Sequence, residues 1–177
     1  MRHSIIVLVL CILAILVGAY LFYTNTQGLG ADTLEQSAQV ANAPVESMPV
    51  AFTVIESGTS ASDVTVRKNV AARDQEAYLR LYALARGGQE LAPPPVDFNT
   101  EYVIGVFAGE KPTGGHMIEV TSIRDLGDTR TLSVTETVPG ASCVVTQAFT
   151  APYQLIRVPV SMHYLKAVDT RVASDCL

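Results

Sequence analysis

Two imidazoles and one of two thiols are the side chains beyond the N-terminal segment singled out for making and breaking bonds: His116, His163 and Cys143. Neutral imidazole binds zinc or takes a proton near neutral pH, and a thiolate is a nucleophile. A zinc site needs each histidine joined by cysteine or carboxylate ligands at suitable spacing, and no such cluster stands near either one. A Cys–His nucleophile pair needs a base and a group to orient it, and no motif around Cys143 supplies them. The run Gly109-Glu-Lys-Pro-Thr-Gly-Gly115 has the glycine content of a phosphate loop. It lacks the Gly-Lys-Ser/Thr ending, and no helix is expected after it to offer an N-terminus to a phosphate. The expectation is a chain that is not an enzyme, with no catalytic residue, no metal and no cofactor. An extracytoplasmic enzyme using His116 and nearby acids is the last of the readings carried forward.

The same run is better suited to recognition. Val103, Ile104, Val106 and Phe107 are β-branched or aromatic, with Gly105 among them marking a close packing contact or a bulge. Met117 to Val120 resumes an extended pattern, so residues 103–121 read as strand, Gly/Pro-rich turn, strand: a hairpin with a long tip. Lys111, Pro112, Thr113, Gly114, Gly115 and His116 form that tip. A preorganised loop with few rotamers loses little entropy on docking, so these six are the candidate binding residues. The alternative is that the glycines merely let the chain turn and Thr113 merely caps it. Pro152 and Tyr153 form a second candidate patch, with Tyr153 equally suited to the core.

The surrounding elements follow from periodicity. Val50–Ile55 and Val64–Val70 alternate as strands around the turn cluster 57–62. Asp74 is placed as N-cap of a helix over Gln75–Arg86, whose Tyr78, Leu81, Tyr82 and Ala85 share one face, with Gly87-Gly88 as the stop. Strands are expected over 128–138, 144–150 and 152–160, and an edge over Val168–Val172. Many short strands, one helix and no βαβ alternation predict a mainly β (α+β) domain, an antiparallel sheet or sandwich with one flanking helix.

Ahead of that domain, Ile5–Tyr23 is apolar, broken only by Gly18, and ends in Tyr20-Leu-Phe-Tyr23. About 20 apolar residues in helical rise match a bilayer core, and aromatic residues suit its interface. A cleaved signal peptide, with a shorter apolar region and small residues at its end, is the alternative. The expected organisation is a cytoplasmic stub and transmembrane signal anchor over 1–24, a flexible linker over 25–48 and an extracytoplasmic domain over 49–177. Arg2 before the span, and no Lys or Arg in residues 24–31, predict a single-pass cytoplasmic-membrane protein with its N-terminus inside and its domain periplasmic or extracellular. On that outer side Cys143 and Cys176 can oxidise to a disulfide, or stand as two unpaired thiols. A net charge of −5 without a Lys/Arg cluster argues against nucleic acid as a partner.

The residues from about 96 to 160 resemble the C-terminal domain family of the protease-complex subunit PrcB. The resemblance is carried by Val96-Asp-Phe98, the strand 103–107, Gly109-x-x-Pro-Thr-Gly-Gly-His116 and Ile118-x-Val120. It continues through Leu132-x-Val134, Pro139-Gly140, Cys143 and Thr150-Ala-Pro-Tyr153. His116 stands where the family commonly has tyrosine. The resemblance implies a non-catalytic, membrane-anchored ectodomain that binds a protein, an accessory or stabilising subunit of an extracytoplasmic protease. A local likeness of the 111–116 run to the Pro-Thr-Thr-Gly-aromatic turn of chagasin-like cysteine-protease inhibitors gives the alternative, an inhibitor acting through that loop.

Overall fold

The computed structural model describes residue 13 and residues 15–23, 46–89 and 91–175. The chain divides into two compact units, Met1–Val45 and Glu46–Leu177. In the first, residues 15–23 are helical. Among the described residues no helix is long and apolar enough to cross a membrane, and nearly half of the expected span, residues 5–12 and 14, lies outside them. The expected linker likewise falls largely on residues 24–45, outside the described ones. The second unit starts slightly before the expected Pro49, because Met48 and Pro49 pair with Asp125 and Arg124.

That second unit has three layers. Its strands are β1 (Met48–Pro49), β2 (Thr53–Gly58), β3 (Lys68–Ala72), β4 (Glu101–Phe107), β5 (Met117–Leu126), β6 (Thr129–Pro139), β7 (Tyr153–Pro159) and β8 (Tyr164–Ser174). The helix α1 (Gln75–Ala85) falls between β3 and β4. One sheet has the order β1-β5-β6-β8 and the other β2-β7-β4-β3. The second is the middle layer, covered by α1 on one face and by the first sheet on the other.

Sequence explains the assignment. In β4, Val103 and Phe107 join the cluster shared with α1, while Tyr102, Ile104 and Val106 join the cluster between the sheets. In β7, Tyr153 and Leu155 face the helix, and Ile156 and Val158 face the other sheet. A strand buried on both faces calls for a mostly apolar run, and β4 has one from Tyr102 to Phe107. β7 is apolar apart from Arg157 and the buried Gln154, whose Oε1 accepts from Val120 N–H at 2.8 Å. By contrast β5 and β6 bury every second residue over much of their length, as one-sided strands do. Gly105 is a close contact and not a bulge: a Cβ there would lie 2.8 Å from Leu81 Cδ1 and 2.8 Å from Phe107 Cε2. The missing side chain lets α1 press onto the sheet.

The helix forms as its pattern requires. Asp74 accepts a hydrogen bond from the Ala77 N–H at 2.7 Å, a cap that contributes about 1 kcal/mol. At the other end Gly88 N–H donates to Ala83 O and Gly87 N–H to Leu84 O, a Schellman turn made possible by Gly87 at φ 63°. Tyr78, Leu81, Tyr82 and Ala85 are the buried face.

Four expectations are corrected. β4 and β5 are not a hairpin but belong to different sheets, because β4 must lie between β7 and β3 to cover both its faces. Residues 143–149 are irregular, not a strand; Thr150 alone bridges, to Lys111. The last edge is longer than Val168–Val172, spanning Tyr164–Ser174. It also runs parallel to β6, so the sheets are not wholly antiparallel. That follows from β7 lying in the other sheet: the chain leaves β6, crosses the sandwich and returns in the same direction. Finally, the first two strands lie later than expected. β2 starts at Thr53 after Val50 and Phe52 have packed between the sheets, and β3 starts at Lys68 after Val64 has entered the helix-side core.

Candidate functional site

Residues 108–116 carry the chain from one sheet to the other, and they are tied down along their length. Ala108 N–H donates to Pro152 O at 2.9 Å and Glu110 N–H to Thr65 O at 3.2 Å. Lys111 exchanges both main-chain hydrogen bonds with Thr150, at 2.7 and 3.0 Å. The Thr150 hydroxyl donates to Thr113 O at 2.9 Å, and Gly114 N–H donates to Thr146 O at 2.9 Å. The expected protruding tip is therefore one of two loops laced together, the other being residues 143–150.

The six candidate residues divide by exposure. Pro112 and Gly115 are exposed, Lys111, Thr113 and His116 half-buried, and Gly114 buried. Gly115 has φ 82°, which a side chain resists. At Gly114 a Cβ would stand 2.3 Å from Thr146 Oγ1, so the glycine there admits the neighbouring loop. Lys111 is not a presented cation. Its Nζ lies 2.6 Å from Glu136 Oε1, which Arg171 also approaches at 3.2 Å. Burial pushes the Glu136 carboxyl up, but hydrogen bonds and charge from Lys111 and Arg171 outweigh it and hold the group below its usual range. Burial, then the Lys111 charge, lowers the His116 imidazole, with Glu136 opposing; the ring is neutral near pH 7. Its Nδ1 is buried with no hydrogen-bond partner among the described residues.

Beside His116 opens a cavity of about 230 Å³. It lies between the Ser57–Thr59 end of β2 and the His116–Glu119 start of β5, with Tyr153 and Gln154 lining it. Tyr153 is 2% exposed and Pro152 is buried as well, so the second expected patch is corrected: both belong to the interior. The reason is the strand they open, β7, which is central in its sheet. The Tyr153 hydroxyl donates to Glu56 at 2.7 Å, and Arg86 pairs with the same carboxylate oxygen. Burial raises the Glu56 carboxyl, yet hydrogen bonds from Tyr153, Tyr82 and Arg86 bring it below its ordinary value.

The groups singled out for chemistry do not meet. His163 Nδ1 lies 3.7 Å from Asp125 Oδ2, near the end of β5, whereas His116 precedes the start of the same strand. Ten residues of strand separate these ends by roughly 30 Å. Cys143 is disulfide-bonded and so carries no thiolate. Its expected partner Cys176, like Cys11, lies outside the described residues. Among the described residues no three His, Cys, Asp or Glu side chains gather as a metal site.

Two features escaped the sequence reading. Val144 and Phe149 are exposed on the 143–150 loop, at 103% and 73%, giving the two-loop surface an apolar character shared by exposed Met117. Asp125 and Arg130 form a buried bidentate pair, Nε to Oδ1 and a terminal nitrogen to Oδ2, both at 2.8 Å. The second could have been read: with Gly127-Asp128 as the turn, Asp125 and Arg130 stand opposite each other. The first could not, because residues 144–150 carry a strand's composition.

Fold and site together define a helix-backed, two-sheet β-domain with two interlaced loops at one end. Residues 102–159, from β4 through β7 and including both loops, match the family model described as PrcB C-terminal. No curated protein and no solved structure matches the chain.

Proposed function

We propose that the unit Glu46–Leu177 is a non-catalytic protein-binding domain that serves as an accessory subunit of a protease complex, and that it meets its partner through the two-loop surface. The match of residues 102–159 to the PrcB C-terminal family supports the protease connection. The observation that carries the surface is the lacing of residues 111–114 to 146–150, which fixes two loops while leaving Pro112, Gly115, Val144 and Phe149 in solvent. Apolar groups held rigidly in water lose their hydration cost on docking without a further ordering cost. Under this reading the domain is held outside the cytoplasmic membrane by the N-terminal apolar segment. The inhibitor reading is not carried further: it rests on the local likeness of the 111–116 run alone, and residues 111–114 are laced to residues 146–150 rather than standing out singly.

The test is co-purification of peptidase activity with the tagged full chain from native membranes, beside the Val144→Asp/Phe149→Asp variant. Both substituted side chains are solvent-exposed, so folding is expected to persist. The proposal expects activity with the first and a loss of about tenfold or more with the second. Equal recovery with both, or none with either, would count against it.

A further inference from the structure

β8 is an edge strand that is neither short, nor bulged, nor broken by proline, though it carries Lys166, Asp169 and Arg171. The other outer strands are short or irregular: β1 is two residues and contains Pro49, β2 carries a register shift between Val54 and Glu56, and β3 has five residues. β8 has 11 residues, no proline and an unbroken register with β6 from Tyr164 to Ser174. Among the described residues no strand pairs with its outer side. Edges of this kind invite another strand.

The direction of its main-chain groups can be assigned. Tyr164 N–H donates to Asp128 O at 2.8 Å, so even-numbered residues turn their amide and carbonyl towards β6. Leu165, Ala167, Asp169, Arg171 and Ala173 then turn theirs to the open side. The sequence on that edge, Ala167-Val-Asp-Thr-Arg-Val-Ala173, is self-complementary about Thr170. Read against itself in the opposite direction, acid meets base and apolar meets apolar.

We infer that β8 pairs antiparallel with β8 of a second copy, centred on Thr170, joining two four-stranded sheets into one of twice the width. In that register Asp169 and Arg171 of each copy face one another as hydrogen-bonded pairs, and so do Ala167 and Ala173. Thr170 faces itself and Val168 faces Val172 as non-hydrogen-bonded pairs, where opposed side chains come closest and β-branched residues pack best. Val168 and Val172 are 45% and 42% exposed in the single chain and would be covered. Asp169 and Arg171 already touch Arg67 and Glu136, but with side chains 51% and 64% exposed each has room for a second partner. Sliding the pairing to centre on Asp169 opposes two carboxylates, and centring on Val168 leaves Asp169 facing Ala167. The charge pattern selects Thr170.

The register makes the test specific. Opposed residues of a non-hydrogen-bonded pair have Cα atoms about 4.5 Å apart, within disulfide range. In the full chain carrying Cys11→Ser, Thr170→Cys is expected to give a disulfide-linked dimer under mild oxidation. Val168→Cys and Val172→Cys alone should not, whereas the two together should. Light scattering on the full chain in detergent gives the second reading. Ala173→Pro removes an N–H that points away from β6, so the strand stays while self-association weakens about tenfold or more. Linkage of Thr170→Cys no greater than that of Val168→Cys alone, a dimer indifferent to Ala173→Pro, or a monomer at every concentration would overturn the inference. So would an edge occupied only by a strand of a different protein.

Discussion

The two sheets of this domain are built from similar numbers of strands but solve different problems. The β2-β7-β4-β3 sheet is the middle layer, and its central strands are buried on both sides, with Val103, Ile104, Leu155 and Ile156 each at 0% exposure. The β1-β5-β6-β8 sheet packs one face only. Its other face carries Thr129, Thr131, Ser133, Thr135 and Thr137 along β6, side chains that suit a pleated surface in water. Among the described residues its long edge is unpaired. The middle-layer sheet holds the fold but has little left to show a partner; the outer sheet contributes less packing and presents an open face and a long edge. Both loops of the candidate site start from the junction between them.

That contrast can be broken most severely in the middle layer. Phe107 is wholly buried and stacks on Tyr153 with ring centroids 6.3 Å apart. Phe107→Ala is expected to cost about 4 kcal/mol in urea unfolding, against no more than about 0.5 kcal/mol for Thr135→Ala on the open face. Similar losses at both positions would erase the distinction.

The outer sheet has one interior dependence, which sharpens the comparison. Arg130 is 3% exposed and holds Asp125 with two hydrogen bonds, giving a third to Pro159 O. Arg130→Ala should cost about 3 kcal/mol, because it leaves a carboxylate buried without its partner. The hydrogen bond from Arg130 also depresses the Asp125 carboxyl, against the opposing pull of burial. A depressed acid contributes stability that is complete above its unfolded value and is lost as pH falls through its folded one. Stability should therefore decline from about pH 4 downward, with Glu136 contributing in the same direction. Asp125→Asn should flatten that decline in acid unfolding curves; an unchanged slope would mean the pair is not linked to folding.

Much of this was legible in sequence where a pattern is local. The helix over 75–85, its Asp74 cap and its buried face follow from spacing alone, since capping and amphipathic periodicity act within a few residues. The close contact at Gly105 was also visible as a gap in an apolar run. Pairing was not legible in the same way. Val103–Phe107 and Met117–Val120 are separated by a glycine-rich turn, which is compatible with a hairpin or with a crossing between sheets. The deciding fact is that β4 is apolar on both faces while β5 alternates. The 143–150 segment has a strand's composition in Val144, Val145 and Phe149, yet its Thr146 carbonyl and both Thr150 main-chain groups bond to the 111–114 loop and not to a neighbouring strand. For the site, the six loop residues are consecutive in sequence and so lie in one loop. Their exposure, the burial of Pro152 and Tyr153, and the apolar contribution of Val144 and Phe149 depend on tertiary contacts that no spacing encodes.

The division of labour between the sheets is tested most directly by amide hydrogen exchange resolved residue by residue. The amides of β4 and β7 are expected to exchange only through global unfolding. In dilute protein the outward amides of Leu165, Ala167, Asp169, Arg171 and Ala173 should exchange quickly while the even-numbered ones between them stay protected, and the outward set should slow as the protein is concentrated. Exchange of β4 and β7 through local opening as easily as β8, or uniform protection along β8 in dilute solution, would contradict the account.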